Sequence, residues 1–260
     1  MTAFPFQSAL ITGASSGIGR AMAEILGDAG LRLILVARRG DRLNELAERY
    51  GVVEVITADL STSAGQAAVV ERLDSDPIDL VVNNAGRGTR TRFVESDPDH
   101  TADEIELNVA AVTRLSQAAL ATMVPRQRGW LINVSSMIPT LASPGYAVYG
   151  ATKAYVTYLT ETLHHEMSGT GVCVSALCPG ITPTEFHEVA GAEDVFDETP
   201  SSLVTSADQV ARAGLAGVIA NKAIVVPGTQ YRAMAAWAGV TPRWVRHRVV
   251  GLLGKWRPLD

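Results

Sequence analysis

The sequence predicts a doubly wound α/β fold, in which one parallel sheet of seven strands has helices on both faces. Short apolar, β-branched runs alternate with longer stretches of helical periodicity, which is the first supporting observation. The length of 260 residues is the second, because it suits one α/β domain. The predicted strands are Ala9–Thr12, Arg32–Ala37, Val52–Thr57, Asp79–Val82, Gly129–Val134, Val172–Leu177 and Ala223–Val226.

Six stretches between these strands have the apolar spacing of amphipathic helices. Asp41 is the predicted N-cap of the second helix, and Pro125 is expected to end the fourth. No repeat, low-complexity tract or linker interrupts the series, which favours one domain. The predicted helices are Gly17–Ala29, Arg42–Arg49, Ala64–Leu73, Thr101–Met123, Gly145–Met167 and Ala207–Ala220.

A glycine-rich loop, Thr12-Gly13-Ala14-Ser15-Ser16-Gly17-Ile18-Gly19, joins the first strand to the first helix. Glycines allow a tight turn and a close approach of the backbone, and the start of a helix favours an anion such as a pyrophosphate. Glycine and serine also form ordinary turns, so the loop alone is weak evidence. In a Rossmann-type sheet we expect it to bind a dinucleotide through Gly13, Ser15, Ser16, Gly17, Ile18 and Gly19.

Four further motifs follow in order: Asn83-Asn84-Ala85-Gly86, Asn108, Ser136 and Tyr149-Gly150-Ala151-Thr152-Lys153. With the glycine-rich loop they make the chain resemble the short-chain dehydrogenase/reductase family over about residues 7–228. The resemblance implies hydride transfer between a nicotinamide and a carbonyl or secondary alcohol, with Tyr149 giving or taking the hydroxyl proton. It also implies a homodimer or homotetramer, formed through the fourth and fifth predicted helices.

Tyr149 and Lys153 are four residues apart on a predicted helix, so they project from one face. A nearby ammonium favours the phenolate, and lowering the pKa of the tyrosine to about 7 requires roughly 4 kcal/mol, which the lysine and a positive nicotinamide ring would supply together. The resemblance implies that Ser136 orients the substrate oxygen and that Asn108 holds a water that relays protons through Lys153. Ser135 competes with Ser136, but Ser136 has the family's spacing of thirteen residues before Tyr149.

Arg38 and Arg39 follow the second predicted strand, where dinucleotide folds that prefer NAD(H) carry an acidic residue. Arginine at this position can bind a 2′-phosphate, so NADP(H) is favoured and NAD(H) is the alternative. Two solvated arginines at a helix entrance are the alternative, which the position of the pair disfavours. The neutral Ala14, Ser15 and Ser16 lack the basic residue that many NADP(H)-preferring relatives have in this loop.

The resemblance implies further cofactor contacts in three segments. Asp59 and Leu60 would border the adenine, and Asn83, Asn84, Ala85 and Gly86 the adenosine ribose. Pro179, Gly180, Thr182 and Thr184 would lie near the carboxamide and pyrophosphate, together with Tyr149 and Lys153. Pro183 departs from the family pattern because it lacks an amide donor.

The net charge of −5, with no block of like charge among the motifs, argues against nucleic acid as a partner. The first residues lack a basic start, and no run of 18 apolar residues occurs, so we expect a cytoplasmic protein. Cys173 and Cys178 are expected to be reduced. Adjacent His164 and His165 point to different faces, which argues against a metal site.

Residues 1–228 are predicted to form the dinucleotide-binding catalytic domain, with a substrate lid at about 185–205. The lid has six acidic residues between Glu185 and Ser202 and no lysine or arginine, interleaved with apolar side chains. An anionic substrate would be repelled there, so a small molecule with an apolar body is favoured. A solvated acidic loop is the alternative. A catalytically weak dinucleotide-sensing or scaffold protein is the second hypothesis for the whole chain.

Residues 229–260 are predicted to be a basic, amphipathic extension of the same domain. Six lysines or arginines lie between Tyr231 and Asp260, against one acidic residue. Thr241-Pro242 favours a helix start, and the predicted helix extends to Trp256. Its apolar face would consist of Val245, Val249, Leu252, Leu253 and Trp256. We expect this helix to pack on protein, and contact with an anionic membrane surface is the alternative.

Overall fold

Seven strands form one parallel sheet in the computed structural model, which describes residues 4–51, 53–195, 199–242, 244–246 and 248–249. Across the sheet their order is β3-β2-β1-β4-β5-β6-β7, and all neighbouring pairs are parallel. The doubly wound α/β fold is therefore confirmed. The strands are, in chain order, β1 (Ser8–Thr12), β2 (Arg32–Ala37), β3 (Val53–Thr57), β4 (Leu80–Asn83), β5 (Gly129–Val134), β6 (Val172–Leu177) and β7 (Ile224–Val225).

Helices follow the strands along the described chain. They are α1 (Gly17–Asp28), α2 (Gly40–Tyr50), α3 (Ser63–Ser75), α4 (Pro98–Ile105), α5 (Val112–Met123), α6 (Ala147–Glu166), α7 (Glu185–Val189), α8 (Ala207–Ile219) and α9 (Thr229–Val240). A π-helical segment, Glu106–Ala111, continues α4 into α5. No helix among the described residues is both long and apolar enough to cross a membrane.

Two hydrophobic clusters cover opposite faces of the sheet because side chains alternate along each strand. Ile11 of β1 packs in the cluster that includes residues of α1, α2 and α8. The adjacent Leu10 packs in the cluster that includes residues of α3 and α5. Burial on both faces explains why the central strands read as continuous apolar runs in the sequence.

Among the helix starts that differ from the sequence prediction, those of α2 and α4 have a clear local cause. The prediction of Asp41 as the N-cap of α2 is wrong: the helix starts at Gly40, and Asp41 lies in its first turn. Gly40 packs so closely on Thr57 that a Cβ there would lie 2.5 Å from the threonine Oγ1, so the chain turns directly from β2 into the helix. Helix α4 begins at Pro98, three residues before the predicted start, because the Asp97 carboxylate accepts the free amides of the first turn.

Helix α9 was not among the sequence predictions. It places Tyr231 in a buried position with 5% of its surface exposed. After Thr241-Pro242, residues 244–246 and 248–249 are again helical, in agreement with the predicted start. Leu252, Leu253 and Trp256 of the predicted apolar face lie outside the described residues.

A buried polar network joins the middle of the sheet to two helices. Asn83 Nδ2 of β4 donates to Asn133 Oδ1 of β5 at 2.9 Å and to Ser116 Oγ of α5 at 3.1 Å. Asn133 Nδ2 in turn donates to Thr160 Oγ1 of α6 at 3.0 Å. These four side chains therefore connect both central strands with the helices that pack on them.

Candidate active site

The carboxyl ends of the strands open into a cavity of about 680 Å³, where parallel α/β sheets bind their ligands. The predicted site residues that line it are Gly13, Ser15, Ser16, Gly17, Ile18, Arg38, Arg39, Asp59, Leu60, Asn84, Ala85, Gly86, Ser136, Tyr149, Lys153, Pro179, Gly180, Thr182 and Thr184. Gly19, Asn83 and Asn108 do not line it. A groove of about 760 Å³ along the exposed side of α6 is larger, but it holds none of these predicted residues.

The glycine-rich loop turns through two residues with left-handed backbones, Gly13 at φ 66° and Gly17 at φ 57°. Asn84 fastens the loop, because its Nδ2 donates to Thr12 O at 2.9 Å and to Gly13 O at 3.2 Å. Gly19 belongs to this packing, since a Cβ there would lie 2.4 Å from Asn84 Nδ2. The loop therefore leaves an open backbone surface at the start of α1, which fits the pyrophosphate of a dinucleotide.

Tyr149 and Lys153 come together on one face of α6, as predicted from their spacing, with 8% and 4% of their surfaces exposed. Lys153 Nζ donates to Val134 O at 2.8 Å and lies 5.9 Å from the centroid of the Tyr149 ring. The Ser136 Oγ, at the end of β5, accepts from Ile138 N at 3.1 Å and interacts with the Tyr149 hydroxyl. The three side chains thus converge on one point of the cavity.

Ser135 and Ser136 take different positions although they are adjacent. Ser135 is buried, its hydroxyl donates to Lys153 O at 2.8 Å, and it is bonded to Thr157 Oγ1 at 2.6 Å. Both serines line the cavity, but it is the Ser136 hydroxyl that interacts with the Tyr149 hydroxyl. The Ser135 hydroxyl therefore holds α6 against β5, and the Ser136 hydroxyl is the one that lies at the tyrosine.

Burial dominates the electrostatics of the tyrosine and lysine. It raises the pKa of Tyr149 above the ordinary value. The hydrogen bond with the Ser136 hydroxyl opposes this increase, and the Glu104 carboxyl adds to it. Burial also lowers the pKa of Lys153 from 10.5 to about 8, against weaker opposing effects of Cys178 and Glu104. The lowering of the Tyr149 pKa by Lys153 together with a positive nicotinamide ring stays a prediction, since the raised pKa reflects the protein's own residues alone, with desolvation as the largest cause.

Asn108 is fully buried in the π-helical segment, beneath the cavity. Its Nδ2 donates to Arg87 O at 2.7 Å and to Thr152 Oγ1 at 3.1 Å, while its Oδ1 accepts from Arg87 N at 3.1 Å. A Cβ on Gly86 would lie 3.1 Å from this Oδ1 and 3.2 Å from Lys153 Nζ. The side chain thus connects the segment after β4 to α6, and its role in holding a water stays a prediction.

Glu104 was missed by the sequence analysis. It lies one helical turn before Asn108, with 1% of its surface exposed, and burial raises its pKa. One carboxyl oxygen has no hydrogen-bond partner among the described residues. A glutamate in a polar helical stretch gives no sequence signal of burial, because its burial depends on tertiary packing such as that of α4 on α6.

The arginines after β2 surround two hydroxyls and one carboxylate. Arg39 donates to Ser15 Oγ at 3.2 Å and Ser16 Oγ at 3.1 Å, and its other terminal nitrogen forms an ion pair with Glu185 at 2.7 Å. Arg42, which the sequence analysis did not select, lies 2.5 Å from the same Glu185 carboxylate. Arg38 is exposed and makes no hydrogen bond or ion pair with the described part of the chain.

The segment after β6 is anchored by α9. The Tyr231 hydroxyl accepts from Ile181 N at 2.8 Å and donates to Leu203 O at 2.6 Å, and its ring covers Gly180. Thr182 Oγ1 donates to Gly180 O at 3.1 Å, while Pro183 is exposed. Tyr231 therefore fixes the loop that the resemblance assigns to the carboxamide, although it lies in a helix that the sequence did not predict.

The lid contributes α7 to the cavity. The Phe186 ring lies 5.2 Å from the Tyr149 ring, centroid to centroid. His187 is half-buried and lines the cavity, and burial lowers its pKa. Apolar Val189, Val195, Leu203 and Met234 line the same region. Phe196, Asp197 and Glu198 of the predicted lid lie outside the described residues.

The site has the residue types and the open backbone that a nicotinamide dinucleotide requires, and within the described residues no cluster of histidine, cysteine and carboxylates could hold a metal. Comparison with known proteins gives the class. The short chain dehydrogenase family model matches residues 7–194. The chain therefore belongs to the short-chain dehydrogenase/reductase family and is an oxidoreductase of that family.

Individual relatives agree with this assignment. An uncharacterized oxidoreductase of Staphylococcus epidermidis is 33% identical over 185 residues, which cover 69% of this chain and 80% of that protein. A short-chain dehydrogenase from Sphingobium yanoikuyae, solved in complex with NADPH, is 34% identical with a TM-score of 0.81, and 97% of each chain is covered. The bulky-bulky ketone specific alcohol dehydrogenase from Comamonas testosteroni is 30% identical with a TM-score of 0.76, covering 100% of this chain and 97% of that one.

Proposed function

We propose that this oxidoreductase prefers NADP(H) and interconverts a ketone or aldehyde and the corresponding alcohol, with Tyr149 as general acid and base. The observation that carries the cofactor preference is Arg39, which donates to the hydroxyls of Ser15 and Ser16 beside Arg38 in the cavity lining and shares the Glu185 carboxylate with Arg42. Guanidinium groups bind a phosphomonoester through charge-assisted hydrogen bonds, and the NADPH complex of the Sphingobium relative supports the same preference.

The other cofactor contacts are proposed for the residues that line the cavity. The glycine-rich loop would receive the pyrophosphate, Asp59 and Leu60 the adenine, and the segment Asn84–Gly86 the adenosine ribose. Asn83 supports this segment from beneath through the buried polar network. When bound, the cofactor supplies or accepts the hydride at its nicotinamide ring.

The protein's own residues would transfer the proton to and from the substrate oxygen. In the direction of reduction, Ser136 donates a hydrogen bond to the substrate oxygen and Tyr149 Oη donates the proton. Burial keeps Tyr149 protonated, which suits it as the acid. Lys153, with its pKa near neutrality at about 8, can return a proton to the tyrosine. Asn108 holds the segment after β4 and α6 in their relative positions.

An apolar substrate is proposed from the lining of the lid. Phe186 lies against Tyr149, and Val189, Val195 and Leu203 extend the apolar surface around the reaction site. The charge of the acidic Glu185, which lines the same cavity, is compensated by two arginines. The ketone specificity of the Comamonas relative supports a ketone or secondary alcohol with an apolar body.

We also propose that residues 1–228 form the catalytic domain and residues 229–260 its extension. Tyr158 on α6 and Ile105 on α4 expose 76% and 44% of their surfaces, which supports a homodimer or homotetramer through these helices. Arg246 donates to Thr140 O at 3.3 Å, which supports packing of the extension on protein rather than on an anionic membrane. Free cysteines support a cytoplasmic, reducing location.

The activity test is a screen of apolar ketones and alcohols, followed by nicotinamide absorbance with NADPH and with NADH. We expect turnover with NADPH and a preference that falls when Arg39→Ala and Arg42→Ala are combined, since each charge-assisted contact contributes about 1.5–3 kcal/mol. Equal use of both cofactors by the wild type would refute the preference. Cofactor binding without turnover on any substrate would favour the alternative, a dinucleotide-sensing scaffold protein.

A further inference from the structure

Glu185, the first residue of α7, binds two arginines from a distant part of the chain. Its Oε2 accepts from Arg39 Nη1 at 2.7 Å, and its Oε1 accepts from Arg42 Nη1 at 2.5 Å. These arginines lower the pKa of the carboxyl, so it is ionised. The lid is therefore tied to the end of β2 and the first turn of α2 by one anion between two guanidinium groups.

The surroundings of this carboxylate have the chemistry of a phosphomonoester site. Besides the two guanidiniums, the hydroxyls of Ser15 and Ser16 lie at 3.2 and 3.1 Å from the second terminal nitrogen of Arg39. A phosphomonoester carries more charge than a carboxylate and has three acceptor oxygens. It can therefore engage both arginines and the hydroxyls, whereas the carboxylate has two oxygens and uses both on the arginines.

The residue after Glu185 belongs to the reaction site. The Phe186 ring lies 5.2 Å from the ring of Tyr149, and a Cβ on Gly88 would lie within 3 Å of both side chains. Helix α7 has only five residues, so a displacement of its first residue, Glu185, also moves the second, Phe186. The arginine pair and the catalytic tyrosine are thus linked through two consecutive side chains.

We propose that Glu185 occupies the phosphomonoester site of Arg39 and Arg42, and that a 2′-phosphate displaces it, releasing α7 and moving Phe186 relative to Tyr149. The inference rests on the proposed NADP(H) preference. It adds a specificity residue, because only a dinucleotide with the 2′-phosphate competes with Glu185, and it assigns Arg42 to the binding of that phosphate.

Calorimetry with 2′,5′-ADP and 5′-AMP tests the competition without turnover. Glu185→Gln should bind 2′,5′-ADP about fivefold more tightly than the wild type, since exposed ion pairs are individually weak, and its affinity for 5′-AMP should be unchanged. Glu188→Gln is the matched control, because Glu188 is an exposed residue of the same helix and the change in charge is identical. It should leave both affinities at wild-type values.

Hydrogen exchange at the amides of residues 185–190 gives the second readout. In the wild type, 2′,5′-ADP should increase exchange there and 5′-AMP should not, whereas Glu185→Gln should exchange rapidly without nucleotide. Weaker or unchanged binding of 2′,5′-ADP to Glu185→Gln would overturn the competition, and protection of these amides by 2′,5′-ADP would overturn the release of α7. If the wild type does not distinguish the nucleotides but Glu185→Gln prefers 2′,5′-ADP, the competition stands and the NADP(H) preference fails.

Discussion

Replacing Lys153 by methionine should change how the stability of the protein depends on pH. Lys153 is 4% exposed, and its pKa is lowered from 10.5 to about 8 by burial. Since a tenfold change in proton affinity is worth about 1.4 kcal/mol, keeping this lysine charged in the fold costs about 3 kcal/mol at pH 7. Methionine removes that cost but leaves Val134 O without its donor, which costs about 1–3 kcal/mol.

The pH dependence separates these two effects. Because the pKa of Lys153 is lower in the folded state, the unfolded chain binds more protons between about pH 8 and 10.5, and the stability of the wild type rises with pH in this window. Lys153→Met lacks this contribution. The two proteins should therefore be similar at pH 7, and the wild type should gain about 2–3 kcal/mol over the variant by pH 10.

Urea unfolding of both proteins at several pH values between 7 and 10 measures the difference directly. Titrating groups that do not interact with Lys153, such as Cys173, are common to both proteins and cancel. Lys222→Met, at an exposed lysine, is the control and should show no such pH-dependent difference. A difference between wild type and Lys153→Met that stays constant from pH 7 to 10 would refute a lowered pKa at Lys153.

Three further substitutions test the site. Tyr149→Phe should keep the fold and lower turnover by about 10²–10⁴-fold, because only the proton donor is removed; wild-type rates on a confirmed substrate would contradict this role. Glu104→Gln should shift the pH–rate profile to lower pH, because the Glu104 carboxylate raises the pKa of both Tyr149 and Lys153; an unshifted profile would exclude that influence. Tyr231→Phe should reduce the free energy of unfolding by about 1–3 kcal/mol, since Ile181 N and Leu203 O lose their hydrogen-bond partner. Urea unfolding measures this loss, and an unchanged unfolding midpoint would show that water replaces the hydroxyl.

The sheet could be predicted from the sequence because its signal is local. The bounds of β2, β5 and β6 agree with the prediction, since buried parallel strands are continuous runs of apolar residues. The candidate site could also be predicted from the sequence where its residues lie in short motifs. The spacing of Tyr149 and Lys153 defines one helix face, and parallel topology brings the strand ends to one edge of the sheet.

What the sequence did not reveal depends on contacts between distant residues. Arg42 and Glu185 are separated by 143 positions, and nothing in either neighbourhood indicates their ion pair. Tyr231 reaches Ile181 across 50 positions from a helix whose composition gave no start signal. The burial that raises the pKa of Tyr149 was missed for a related reason, because helical spacing shows the nearby charge but not the extent of burial.

The polar network of Asn83, Ser116, Asn133 and Thr160 has a consequence for how this chain can change during evolution. A substitution that removes Asn133 leaves donors and acceptors on β4, α5 and α6 unpaired in the core, and buried orphan groups are costly. Further replacements at the same sites remove those orphans, so the four positions are coupled and their effects do not add. Tolerated sequences should therefore differ at these positions together. A shift of β4 along β5 by one residue would break the same contacts, so the network also stabilises the strand register.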